Sequence, residues 1–168
     1  MIDSRLSLTQ NDSKLNDILL AEEKRQSESF TLIASENHTD PEILALLGSV
    51  LTDKYSEGYP ERRYYGGQAQ YDALESLARE RACQLFRAEH ANVQPLLGSP
   101  MNQVVYLGLL KPGDAILAMD LSHGGHLTHG DPVSHMGRLF RFVRYKTSSD
   151  GSIDFGAVRR SALAHHPK

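Results

Sequence analysis

The feature that most constrains this chain is a short apolar run followed directly by a loop of glycines and histidines. Residues 115–119 are Ala-Ile-Leu-Ala-Met, and residues 121–130 contain three histidines and three glycines. An unbroken apolar run of this length is typical of a parallel strand that is buried on both faces. Glycines after such a strand let the backbone turn sharply and approach a ligand closely. Because ligands of open α/β sheets bind beyond the carboxyl ends of the strands, we expect this loop to face a small-molecule site.

The three histidines of this loop, His123, His126 and His129, allow more than one interpretation. His126 is the first candidate to contact the small molecule. A metal site is an alternative, but spacings of three and six residues do not place all three rings on one helical face. No carboxylate or thiolate is placed to complete a metal shell, so we predict no metal. A third interpretation is that the histidines only cap and solvate the loop.

Helices and strands alternate along the chain. Apolar spacing predicts helices that begin after Asp12 or Ser13, behind Asp40 or Thr39, at Asp72, at Ser99 and after Asp154. Ser99 is the expected cap of its helix and Pro100 its first residue. The helix that follows Asp40 is apolar almost all round, which predicts burial. Besides 115–119, residues 91–95 and 139–145 are predicted strands.

This order of elements predicts an α/β fold with a mostly parallel sheet and helices on both faces. Only about three strands are visible, and parallel sheets need more strands and cover on both faces. We therefore expect a helical arm over residues 1–52 and an incomplete large domain over residues 53–168.

Composition and charge exclude several classes of protein. The 168 residues carry a net charge of −3, so nothing in the charge favours nucleic acid or an anionic membrane. Cys83 is the only cysteine, which excludes an internal disulfide and fits a reducing compartment. The N-terminus lacks the apolar core of a signal peptide, and no run is long enough to span a bilayer. A cytoplasmic protein is expected.

A second candidate site segment is rich in tyrosine. Residues 55–67 contain four of the seven tyrosines and follow neither a helical nor a strand period. Tyrosine has an apolar body and a polar tip, as interfaces and ligand sites require. The alternative is a solvated loop held by salt bridges between Glu57 or Glu61 and the adjacent Arg62 and Arg63.

Five ordered segments resemble one enzyme family, serine hydroxymethyltransferase. They are Leu-Ile-Ala-Ser-Glu-Asn at 32–37, Lys-Tyr-x-Glu-Gly-Tyr-Pro at 54–60, Arg-Tyr-Tyr-Gly-Gly at 63–67, Ala-Asn-Val-Gln-Pro at 91–95 and His-Gly-Gly-His-Leu-Thr-His-Gly at 123–130. The resemblance runs from about Leu15 to the last residue. It implies a pyridoxal-phosphate enzyme of fold type I that transfers a one-carbon unit between serine and tetrahydrofolate. The fold it implies is an incomplete large domain like that of other pyridoxal-phosphate transferases.

The resemblance implies roles for the positions that bind the cofactor. His126 is expected to stack on the pyridine ring, with a catalytic role as well. Gly98 and Ser99 are expected to bind the phosphate at a helix N-terminus. Tyr55, as a cofactor ligand, and Tyr65, as a substrate ligand, are expected to enter the site of a neighbouring subunit. The family resemblance therefore also implies a homodimer with shared sites.

Substrate roles are implied in the same way. Ser35 is expected to hold the carboxylate of serine or glycine. Glu57 is the expected catalytic carboxylate that transfers a proton near the folate and the hydroxymethyl group. Leu121, Gly125 and Leu127 are expected to line the folate pocket.

Departures from the family pattern predict limits on activity. The family usually has serine where this chain has Leu97, and glutamine where it has Pro100. Each lost phosphate contact is expected to weaken cofactor binding by about 1–3 kcal/mol. None of the six lysines stands in the context of the family's Schiff-base lysine, and the resemblance places the aspartate and arginine partners of cofactor and substrate beyond residue 168. The 168 residues alone are therefore expected to be inactive.

Two other functions stay open on the sequence. Leu97 and Pro100 favour a non-catalytic, truncated paralogue that acts as a binding or dimerisation module. A metal hydrolase that uses the three histidines is a more remote alternative.

Overall fold

A computed structural model describes residues 9–168. The chain divides into two compact units, the first ending at Gly58 and the second beginning at Tyr59.

Among the residues that the structure describes, the first unit includes two helices and a helical turn. Helix α1 spans Ser13–Glu28, and the Asp12 carboxylate accepts a hydrogen bond from the amide of Leu15, which confirms Asp12 as its cap. Helix α2 spans Pro41–Leu47 and is followed by a 3₁₀ turn at Val50–Thr52. The predicted burial of this region is wrong, because four apolar side chains of α2 are 48–65% exposed within the chain: Ile43, Leu44, Leu46 and Leu47.

A short hairpin leads into the long helix of the second unit. Strands β1, Gly58–Tyr59, and β2, Arg62–Arg63, pair with each other. Helix α3 then spans Ala69–Phe86 and begins three residues earlier than predicted. Arg87 ends it in the left-handed conformation, with φ of 51°.

Helix α4 spans Gly98–Leu109, and its start differs from the prediction. Leu97, not Ser99, is the cap residue, because Leu97 is extended and its carbonyl oxygen already accepts the amide of Met101 at 3.3 Å. Pro100 therefore lies inside the first turn, where its missing N–H has no intrahelical partner to lose. Residues 91–95 form no strand, since no neighbouring segment offers them a ladder.

The sheet is a parallel pair, as the sequence predicted. Strand β3, Ala115–Met119, pairs with β4, Arg141–Tyr145, in the register Ala115 to Arg141 through Met119 to Tyr145. Helix α5, His135–Leu139, and helix α6, Phe155–His165, both contact β4. The Asp154 carboxylate accepts the amide of Ala157 and caps α6 as predicted.

The core lies where α4 and α5 meet the two strands. Ala115, Met136 and Phe140 are its buried apolar residues. The ring of Tyr106 on α4 contacts Phe140 and Phe142 edge to face, each at a centroid distance of 5.9 Å. Of the helices within residues 9–168, none combines the length and the apolar character needed to cross a bilayer.

Candidate functional site

The histidine loop, residues 121–130, leaves the carboxyl end of β3 and is packed tightly at two glycines. Asp120 caps a 3₁₀ turn at Leu121–His123 by accepting the amide of Ser122. A Cβ added to Gly125 would lie 2.1 Å from the carbonyl oxygen of Met119, and one added to Gly130 would lie 2.0 Å from Phe142 Cγ. Gly130 also has a φ of +93°, which L side chains rarely adopt. Glycine is therefore required at both positions for the loop to close against the sheet.

All three histidines of the loop use Nδ1 as a hydrogen-bond acceptor. His123 Nδ1 accepts the amide of Thr147 at 3.3 Å, and His126 Nδ1 accepts the amide of Thr128 at 3.2 Å. His129 Nδ1 accepts the amide of His126, also at 3.2 Å. A backbone N–H can only donate, so the proton of each neutral ring is on Nε2. Burial, and to a lesser extent the neighbouring His126, lowers the pKa of His129.

This bonding pattern bears on the metal alternative. A histidine that binds a metal through Nε2 usually donates Nδ1–H to an acceptor. Here each Nδ1 accepts a backbone N–H. If Nε2 bound a metal, the ring proton would move to Nδ1 and would clash with the proton of that backbone N–H. Within residues 9–168, no three histidine, cysteine, aspartate or glutamate side chains are grouped as a metal site.

The histidine loop is joined to helix α4 through Thr128, which is only 6% exposed. Asn102 Nδ2 on α4 donates to Thr128 Oγ1 at 2.8 Å, and the same hydroxyl lies 2.8 Å from His126 Nδ1. Asn102 follows the first turn of α4, which begins at Gly98. The structure thus ties the ring of His126 to the helix whose start holds the two predicted phosphate-binding residues.

The start of α4 is suited to an anion. Its cap residue, Leu97, provides no side-chain hydrogen bond, so the amides of Gly98 and Ser99 are not satisfied by a cap. A Cβ at Gly98 would meet nothing within 4 Å, which leaves open space above the helix end. Unpaired amides and the positive end of the helix dipole favour a phosphate there.

The tyrosine-rich segment is held by a charge cluster that the sequence analysis did not identify. The Arg63 side chain is 4% exposed. Its Nε lies 2.8 Å from Asp72 Oδ1, and its Nη2 lies 2.7 Å from Glu75 Oε2; both carboxylates belong to α3. Asp72 Oδ2 also accepts the amide of Glu61 at 3.0 Å. The bond from the Glu61 amide, followed by that from Arg63, lowers the pKa of Asp72.

Arg63 is thus paired with carboxylates of α3 and enclosed, whereas the solvated-loop alternative has it in exposed pairs with Glu57 or Glu61. It fixes the hairpin immediately before Tyr64 and Tyr65, which are 80% and 49% exposed. The pKa of Arg63 is raised, chiefly by its bond to Asp72. Tyr65, a predicted substrate ligand, therefore follows a rigid anchor and presents its ring at the surface.

The other predicted site residues, apart from Gly125, are exposed. Ser35 lies in the first unit and lines an open cavity of about 510 Å³, together with Arg25, Phe30 and His38 among others. Tyr55 and Glu57, also in the first unit, are exposed at its end. In the second unit, the predicted folate contacts Leu121 and Leu127 are 44% and 49% exposed on either side of the close-packed Gly125.

Thr128 and Asn102, which connect the ring of His126 to α4, were not among the predicted site residues. They lie 26 residues apart, so no helical or strand spacing relates them. The available signals were weak: Thr128 stands within the histidine loop, and Asn102 follows Gly98 and Ser99 at the start of a predicted helix.

Comparison with known proteins supports one assignment. A family model described as serine hydroxymethyltransferase matches residues 8–168. A serine hydroxymethyltransferase of Desulforapulum autotrophicum is 54% identical over 158 residues, which cover 94% of this chain and 38% of that protein. A serine hydroxymethyltransferase of Acidothermus cellulolyticus is 53% identical over 167 residues, which cover 99% of this chain and 39% of that protein. The chain thus spans about two fifths of the length of these relatives, and it belongs to the serine hydroxymethyltransferase family.

Proposed function

We propose that this chain supplies the N-terminal part of an enzyme that interconverts serine and glycine, with tetrahydrofolate as the one-carbon carrier. The observation that carries the proposal is the connection of His126, through Thr128 and Asn102, to a helix whose first amides are uncapped. Family membership supplies the reaction class. We also propose a cytoplasmic homodimer in which Tyr55 and Tyr65 serve the partner's site.

The residues present fit pyridoxal phosphate. The amides of Gly98 and Ser99 and the open space at Gly98 suit a phosphate, and the exposed ring of His126 suits an aromatic face. When bound, this cofactor acts as the electron sink for the amino-acid substrate. The protein's part is to bind, orient and exclude water.

The remaining residues would act on the substrates. Ser35 would hold the amino-acid carboxylate by its hydroxyl and Tyr65 would contact the substrate from the partner subunit. Glu57 would hold and move a proton at its carboxylate, near the folate and the hydroxymethyl group. Leu121, Gly125 and Leu127 would form the wall of the folate pocket.

The 168 residues by themselves are proposed to be inactive and to bind the cofactor weakly. None of the six lysines stands in the sequence context of the family's Schiff-base lysine. Leu97 has no hydroxyl and Pro100 no amide proton to offer a phosphate at the start of α4. Each missing contact would reduce affinity by about 1–3 kcal/mol.

The second candidate function is a non-catalytic module that pairs with another chain. Apolar side chains that are exposed in this chain favour it, such as Phe30 at 98%, Leu32 at 92% and Leu96 at 92%. Patches of this kind mark surfaces that associate with other polypeptide. The same exposure fits a chain completed by further protein, so activity has to decide between the two functions.

The test is a chimeric protein. Residues 1–168 are joined to the part of the Acidothermus cellulolyticus relative that lies outside the aligned stretch, and serine-dependent transfer to tetrahydrofolate is measured. The proposal predicts activity, with Glu57→Gln lowering it by about a hundredfold or more while cofactor binding is retained. A folded chimera that binds pyridoxal phosphate but transfers nothing would contradict the proposal and favour the non-catalytic module.

A further inference from the structure

The ring of His126 is held at one of its two nitrogens by Thr128. Thr128 makes two bonds to the same atom of that ring: its amide donates to Nδ1 at 3.2 Å and its hydroxyl lies 2.8 Å from Nδ1. The hydroxyl oxygen also accepts a hydrogen bond from Asn102 Nδ2 at 2.8 Å. Two groups of Thr128 therefore hold Nδ1 of the imidazole, and Asn102 on α4 supports one of them, the hydroxyl.

The protons in this arrangement can be assigned one by one. The Thr128 amide can only donate, so His126 Nδ1 must be the acceptor. Asn102 donates its amide proton to Thr128 Oγ1, which leaves the single hydroxyl proton free to point at Nδ1. Both bonds then require a lone pair on Nδ1, and the ring proton is on Nε2.

The chain contains a second copy of this arrangement that serves as an internal reference. His123 Nδ1 accepts the amide of Thr147 at 3.3 Å and lies 2.8 Å from its hydroxyl. Among the hydrogen bonds of residues 9–168, no counterpart of Asn102 donates to Thr147 Oγ1. The two pairs thus share their chemistry and differ in the bond to α4.

We propose that Thr128, supported by Asn102, is a positioning residue that fixes His126 as an Nε2-protonated ring at a set orientation. This rests on the proposed function, in which the exposed face of His126 stacks on the cofactor ring. A ring already held at Nδ1 loses little side-chain freedom on stacking. Its free donor, Nε2–H, is turned away from Thr128.

The direct test is the tautomer of each histidine in the purified chain without cofactor. Long-range proton–nitrogen correlation spectra distinguish a pyridine-like from a pyrrole-like nitrogen, above the pH at which histidines are protonated. His126 and His123 should both show pyridine-like Nδ1. Thr128→Val keeps only the longer amide bond to Nδ1, so the other tautomer of His126 should become partly populated while His123 stays unchanged, whereas Thr147→Val should do the reverse. A pyrrole-like Nδ1 at His126 in the unmodified chain would overturn the inference.

Variants that keep or remove single bonds separate positioning from general damage to the fold. Thr128→Ser retains the hydroxyl and should restore the His126 signals. Asn102→Asp cannot donate and should accept the hydroxyl proton instead, which removes one of the two bonds to Nδ1. Should Thr128→Val fail to fold, Asn102→Asp and Thr128→Ser still give opposite expected results.

Affinity for pyridoxal phosphate, measured by equilibrium dialysis, gives the second readout. Thr128→Val is expected to weaken binding about fivefold to tenfold and Thr128→Ser to restore it, with Thr147→Val close to the unmodified chain. Correct tautomers in the chain, with no cofactor binding by the folded chimeric protein, would count against the proposed function and leave the assignment of His126 intact. Equal affinities for Thr128→Val and Thr147→Val would overturn the positioning role.

Discussion

Two segments that carry proposed site residues are fixed by opposite kinds of chemistry. The hairpin before Tyr65 is held by an enclosed guanidinium between two carboxylates, Arg63 with Asp72 and Glu75. The histidine loop is held by uncharged bonds, in which imidazole nitrogens accept amide protons, and by glycines pressed against the sheet. An ionic anchor fails when one charge is removed, while a neutral anchor fails when a ring gains a proton or a methyl group is added. The two segments should therefore respond to different perturbations.

The largest effect is expected from Arg63→Ala. Removing the guanidinium leaves Asp72 and Glu75 facing each other without a cation, which is more damaging than losing an exposed ion pair. The melting temperature should fall by about 5 °C or more, and the amide of Glu61 should lose protection from hydrogen exchange. Arg62→Ala, at the exposed neighbouring residue, is the control and should change little. Equal effects of the two substitutions would show that the cluster does not anchor the hairpin.

The next effect tests the close packing of the histidine loop. Gly130→Ala places a methyl group against Phe142 and forces alanine into a positive φ, so the free energy of unfolding should fall by about 2–4 kcal/mol. Gly108→Ala is the matched control, because Gly108 lies in α4 with nothing within 4 Å of a new Cβ. It should stabilise the chain by about 0.5–1 kcal/mol. Denaturant unfolding measures both, and a harmless Gly130→Ala would contradict the packing described.

The smallest effect is a difference in the pH at which the histidine loop and the hairpin each lose stability. The pKa of His129 is lowered from 6.5, so the unfolded chain binds the proton first and stability falls as the pH drops below that value. The pKa of Asp72 is lowered from 3.8, so its contribution is present above that value and is lost only as the pH falls through the lower folded pKa. Acid should therefore release the histidine loop before the hairpin.

Hydrogen exchange can follow this order at two amides that the titrating groups hold directly. The amide of His126 reports on His129, and the amide of Glu61 reports on Asp72. As the pH is lowered, the His126 amide should lose protection first and the Glu61 amide later. His129→Gln should abolish the first loss, and Asp72→Asn should abolish the second. Loss of protection at both amides in a single step would mean that the segments are not independently anchored.

The parts of this fold that the sequence predicted are those determined by local chemistry. The caps Asp12 and Asp154 act on amides three residues ahead, and the apolar run 115–119 carries its strand preference with it. Residues 91–95 have the composition of a strand but form none, because a ladder depends on a partner that the segment itself does not specify. The burial expected for Pro41–Leu47 failed for the same reason, since apolar spacing identifies a face and not what covers it.

The sequence predicted the histidine loop as a candidate site but did not predict the contacts that hold the site segments in place. Glycines and histidines after a strand identified residues 121–130. Arg63 was recognised as a charged residue of the tyrosine-rich segment. Its enclosure depends on Asp72 and Glu75, which are 9 and 12 residues further along the chain. Such contacts exist only once the helix and hairpin are placed together.

The central claim, that α4 and the histidine loop form the wall of a pyridoxal-phosphate site, is tested most directly by an NMR titration. Pyridoxal phosphate is added to the nitrogen-labelled chain, and pyridoxal without its phosphate is the control. The account predicts that the phosphorylated compound shifts the amides of Gly98 and Ser99 together with the ring of His126, while pyridoxal leaves Gly98 and Ser99 unmoved. Shifts confined to other residues, or identical responses to both compounds, would contradict it.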